Sequence, residues 1–80
     1  MARYHFNLYE CGTFIPDEEG RDVPASATIR DVAVREARSI MASEVQAGRL
    51  CLSCRIEVMD EDQRLIMVVP FAQALEVSGL

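Results

Sequence analysis

The chain has no lysine, no tryptophan, a single histidine and few aromatic residues, and each shortage removes a class of function. Its eight cationic side chains are all arginines, spread along the sequence, while thirteen acidic residues come in runs and give a net charge of −5. Nucleic-acid binding starts from a basic patch that neutralises phosphates, so direct contact with DNA or RNA is not expected. With one histidine, no glycine-rich phosphate loop and no evident nucleophile–base pair, the sequence supplies no catalytic set. No catalytic, cofactor-binding or metal-binding residue is therefore assigned from it. The longest apolar run, Leu65 to Phe71, falls far short of the ~20 residues that cross a bilayer, and the opening Met-Ala-Arg-Tyr-His has no apolar signal core. The expectation is a cytoplasmic protein with no membrane partner.

What is present is the composition of a folded protein: 50% of the residues are hydrophobic, against 26% charged. The 80 residues read as a single domain, 1–80. At this size one hydrophobic core supplies only ~3–5 kcal/mol of net stability, so a homo-oligomer, most simply a dimer, or a complex with a small protein partner is expected.

Three cysteines, Cys11, Cys51 and Cys54, leave one over in any intramolecular disulfide scheme, and they read as reduced thiols. Cys51-Leu-Ser-Cys54 has the C-x-x-C spacing of redox and zinc sites. A redox pair sits at a helix N-terminus, which lowers the thiolate pKa, whereas this pair follows a helix C-terminus, whose dipole has the opposite sign. A structural zinc wants four ligands, and Cys11 and His5 complete a set only if the first strand folds over the loop. Thiol catalysis through Cys51 or Cys54 is the enzymatic alternative.

Along the chain, Tyr4, Phe6 and Leu8 alternate with Arg3, His5, Asn7 and Tyr9, the period of a strand with one buried face and His5 on its polar side. Thr13-Phe14-Ile15 is a short second strand, and Pro16-Asp17-Glu18-Glu19-Gly20 is turn chemistry. Asp17, Glu18, Glu19 and Asp22 lack the ligand spacing of a calcium loop and read as solvated. After Val23-Pro24 the period becomes 3.6: Ile29, Ala33, Ala37, Ile40 and Met41 form an apolar stripe opposite Asp31, Arg35, Arg38 and Gln46. This predicts a helix of about six turns, capped by Ser26 or Thr28 and ended by Gly48. Glu44 falls inside the stripe, where a carboxylate needs a partner, and Arg49 and Arg55 are the expected ones. Arg55 to Met59 and Leu65 to Val69 form a hairpin turning at Asp60-Glu61-Asp62-Gln63, an acidic loop tip. Its first arm is apolar on one face and its second on both. Pro70 stops the strand, and Phe71 to Val77 predicts a short helix with Phe71, Ala74 and Leu75 inward, closing at Gly79.

The predicted fold class is α+β, a small antiparallel sheet with one long helix packed on one face, in the order β-β-α-β-β-α. Arg3-Tyr4-His5-Phe6, Pro16-Asp17-Glu18-Glu19-Gly20, Ala47-Gly48-Arg49-Leu50 and the run from Ile56 to Phe71 with its Val-Pro-Phe close together resemble a family of alphaproteobacterial proteins of about this length, a domain of unknown function. That resemblance implies no activity and no catalytic residue. It also implies a glycine near position 63 in other members and no family-wide role for the cysteines. The sheet face away from the helix, with Tyr9, Met59, Ile66 and Val68, makes self-association or partner binding through the sheet the leading functional expectation. A second is a regulatory module, since a small acidic domain of one sheet and one helix resembles the non-DNA-binding half of HicB-type antitoxins.

Overall fold

The computed structural model describes residues 2–10, 12–24 and 27–79. Alternation in the first segment produces a long strand, β1 (Ala2–Glu10), and β2 (Thr13–Ile15) returns antiparallel to it with Leu8 opposite Ile15 and Tyr9 opposite Phe14. A third strand, β3 (Arg21–Val23), pairs with the other half of β1, Ala2 opposite Val23 and Tyr4 opposite Arg21. Helix α1 (Ile29–Gln46) follows, then the hairpin of β4 (Arg55–Met59) and β5 (Leu65–Pro70). The sheet runs β2-β1-β4-β5 with all pairs antiparallel, and β3 extends the β2 side.

Strand β3 is an addition to the predicted order, because three residues following an acidic turn carry no periodicity to read. The loop between β2 and β3 is held against β1 by Asp17. Its carboxylate accepts the Phe6 N–H at 3.1 Å and the Gly20 N–H at 3.2 Å, while the Asp17 N–H donates to the Asn7 side chain at 2.8 Å. Phe6 lies between the segments of β1 paired by β3 and by β2, so a side chain satisfies a backbone donor that neither short strand reaches. Gly20 is required here: its φ is +74°, and a Cβ would stand 3.0 Å from the Tyr4 carbonyl oxygen.

Helix α1 starts as expected at Thr28, whose hydroxyl accepts the Asp31 N–H; Ser26 lies outside the described residues. Eighteen residues at 3.6 per turn make five turns, one fewer than predicted. The helix ends in a Schellman motif, with Gly48 at φ +88° and bonds from Gly48 N–H to Val45 and from Arg49 N–H to Glu44. Ala33 and Ala37 are fully buried, and these small side chains let α1 lie close on the sheet. Phe6, Val23, Met41, Cys54, Ile56, Val58, Val69, Phe71 and Ala74 complete the core.

The predicted C-terminal helix is a single 3₁₀ turn, Phe71–Gln73, which buries Phe71 and Ala74 against α1. A few residues cannot repay the cost of nucleating an α-helix, and packing of Phe71 decides the conformation instead. Arg38 secures the turn by donating to the Ala74 carbonyl at 2.7 Å. At the hairpin tip, Asp60 accepts the Asp62 and Arg64 N–H groups, both at 2.9 Å. The backbone hydrogen bond from Arg64 holds the Asp60 carboxyl below its ordinary pKa range. The pairing slips by one residue next to Met59, leaving Ile66 as the extra residue of a bulge.

Candidate functional site

Side chains that stand opposite one another in a sheet share a face, so the register defines the surface turned away from α1. It carries His5, Asn7 and Tyr9 from β1, Phe14 from β2, Arg55, Glu57 and Met59 from β4, and Leu65 and Val68 from β5. Toward the end of the face where β4 begins, the Arg55 guanidinium lies 4.1 Å from the Tyr9 ring centroid and its Nε is 2.9 Å from Glu57. The Phe14 ring sits 4.7 Å from that of Tyr9, tilted by 38°. A stacked Tyr–Arg pair on an open face is residue chemistry enriched in protein interfaces.

One border of this face is β5, an edge strand with Leu65, Ile66 and Val68 exposed at 54, 42 and 38%. The Phe6 N–H goes to Asp17, so Phe6 and Val58 form a pair without mutual hydrogen bonds, and antiparallel alternation then joins Val58 to Met67. Val68 is left with its N–H and carbonyl directed off the sheet. The sequence placed Tyr9, Met59, Val68 and Ile66 on this surface; the first three share it by register, and Ile66 reaches solvent through the bulge. The second arm is apolar in both directions because Met67 and Val69 face α1 while its other residues form the border.

His5 is half-buried rather than facing solvent: its Nδ1 donates to the Asp17 carbonyl at 2.6 Å, fixing the ring against the acidic loop. With His5, Phe14, Met59 and Gln63, Glu18 and Glu61 line a cleft of about 390 Å³ between this loop and the hairpin tip. Arg3 pairs with Asp22 at 3.4 Å and donates to the Glu19 carbonyl, so part of the acidic cluster serves the loop itself.

Cys54 is buried at 1% exposure, and its carbonyl accepts the Phe71 N–H at 2.9 Å. Cys51 is half-buried with its Sγ 3.1 Å from the Ser53 hydroxyl. Whether Cys11 joins them lies outside the described residues. Among the described residues no group of three or more histidine, cysteine or acidic side chains is placed to hold a metal ion.

The expected ion pair of Glu44 is not formed. Strand alternation puts Arg55 on the opposite side of the sheet, where Glu57 and Tyr9 occupy it. Arg49, just past the left-handed Gly48, lines the same cleft as Glu44 without pairing to it. Glu44 is buried, and its Oε1 has no hydrogen-bond partner.

Fold and surface define a two-layer α+β domain with one sheet face and one long strand edge uncovered. The chain belongs to the family described as Domain of unknown function (DUF6894), whose model matches residues 3–72. No curated protein matches the chain. No solved structure matches it either. Among the described residues no helix is long and apolar enough to cross a membrane.

Proposed function

We propose that this domain is a protein-association module that pairs with a second copy of itself along β5 and the adjoining open face. The observation that carries this reading is the edge itself: Leu65, Ile66 and Val68 are exposed on a strand whose outward hydrogen-bonding groups lack a neighbouring strand.

The charge pattern favours a like copy as the occupant, and two measures of size fit an open face. From Leu65 to Leu75 the chain bears no charge, so two β5 strands meet about a two-fold axis near Val68 without opposing like charges, although each molecule carries −5. The accessible surface is 5438 Å², against about 4,800 Å² expected for a folded monomer of 8.9 kDa. The radius of gyration is 12.9 Å, against about 11.6 Å for a compact chain of this length. Both excesses accord with a flat, elongated molecule, 39 × 27 × 19 Å, whose sheet has one open face.

Sedimentation of the intact chain, alone and as Val68→Asp, tests the reading. The parent is expected to sediment as a dimer. The variant is expected as a folded monomer, with dimer affinity down at least tenfold and fold stability lowered by about 1–2 kcal/mol, from strand propensity and the Glu57 carboxylate directly opposite. A parent that stays monomeric at high micromolar concentration, or that is dimeric but unaffected by the aspartate, sinks it. Recovery from native cells in a stoichiometric complex with a small basic protein would instead support the regulatory-module reading.

A further inference from the structure

We propose that the cleft at the C-terminal end of α1 binds a cationic nitrogen on an aliphatic stem, an alkylammonium or guanidinium group carried either by a free amine or by a lysine or arginine side chain of another protein. The cleft has a volume of about 310 Å³ and is lined by Glu10, Thr13, Ile15, Glu44, Arg49 and Leu50, with Cys51.

Glu44 is the reason to look here. It is 8% exposed, lines the cleft, and has an Oε1 sealed from solvent with no hydrogen-bond donor. Buried polar groups in folded proteins are nearly always satisfied, and an orphaned carboxylate oxygen is among the most expensive exceptions. Glu10, from the end of β1, adds a second carboxylate to the same space. The last turn of α1 has no basic residue, so the partial negative charge of the helix terminus has no cationic side chain in that turn to offset it. Carboxylates and dipole thus favour the same sign of ligand.

The remaining walls select among cations. Ile15 and Leu50 offer apolar surface for methylene groups, and the Thr13 hydroxyl can accept a further N–H. The apolar part of the lining distinguishes an amine on an aliphatic stem from a hydrated metal ion, which gains nothing from Ile15 and Leu50. Arg49 lines the cleft without a bond to Glu44, and its guanidinium is an internal competitor that a ligand must exclude.

The test is titration of the whole chain, labelled with ¹⁵N, with putrescine and separately with a capped peptide containing one lysine, against sodium chloride at matched ionic strength. Saturable shifts are expected at the amides of Thr13 and of Gly48 to Leu50. They should weaken at least tenfold in Glu44→Gln and strengthen several-fold in Arg49→Ala. Saturation by putrescine alone identifies a free amine as the source of the cation, and saturation by the peptide alone identifies a protein side chain. Absence of saturation in both the parent and Arg49→Ala overturns the proposal. So do shifts that survive Glu44→Gln and centre on Asp17 to Glu19 and Asp60 to Asp62, because those report diffuse attraction to acidic loops. If Glu44→Gln fails to fold, Glu10→Gln replaces it and is expected to weaken binding several-fold, with unchanged affinity overturning the site. The cleft is built at the opposite margin of the sheet from β5, so Val68→Asp separates failure of dimer formation from failure of this site.

Discussion

Gln63 sits at φ 61°, the one non-glycine with positive φ among the described residues, and a left-handed conformation costs an L-residue roughly 1–2 kcal/mol. The turn tolerates it because the Gln63 N–H donates to the Asp60 carbonyl at 3.0 Å and the Asp60 side chain holds both Asp62 and Arg64. Replacing Gln63 by glycine removes the steric cost but adds freedom to the unfolded chain. The expected net outcome is stabilisation of about 0.5–1 kcal/mol by urea unfolding. A loss of stability would mean that the glutamine side chain itself supports the turn. The resemblance drawn from sequence already implied glycine near this position, so the strain was visible before any coordinates. The orphaned Glu44 was visible only in part: helical periodicity placed the carboxylate in the apolar stripe, but the location of Arg55 on the far side of the sheet depends on a register that one strand alone does not declare.

Elements were legible wherever a period ran long enough to be read. The existence and apolar stripe of α1, though not its exact length, and the alternating arms of β1 and β4 follow from spacing alone. Three-residue β3 and the 3₁₀ turn at Phe71 follow from tertiary pairing and packing, which the local sequence does not encode. The device that allows β1 to carry two short neighbours is Asp17, and it is testable as such. Asp17→Ala strips the acceptor from the Phe6 and Gly20 N–H groups and is expected to cost about 1–3 kcal/mol in chemical denaturation. Asp17→Asn keeps one oxygen acceptor and should lose roughly half as much. Equal losses would show that charge, rather than the acceptor oxygens, holds the loop.

For the whole molecule, association and folding are coupled by mass action. If β5 pairs two copies, the midpoint of thermal unfolding rises with protein concentration, whereas that of a monomer does not. A hundredfold dilution is expected to lower the midpoint of the parent by several degrees and to leave Val68→Asp unchanged. A parent midpoint independent of concentration would place the exposed strand outside any self-contact. Function was the least legible level in the sequence. The open face itself was legible, because one long helix covers only one side of a sheet, but no motif in the sequence names what would occupy it.

The two sides of the sheet differ in continuity. On one, β2 and β3 present three residues each, interrupted by the Asp17 loop; on the other, β5 spans six residues with no intervening loop, bent by the bulge at Ile66. A sheet with two continuous edges can add strands indefinitely, which is the route to fibres. If β5 pairs two copies, the short and interrupted β2 and β3 side offers no second edge of that length, and growth by this route is expected to stop at two.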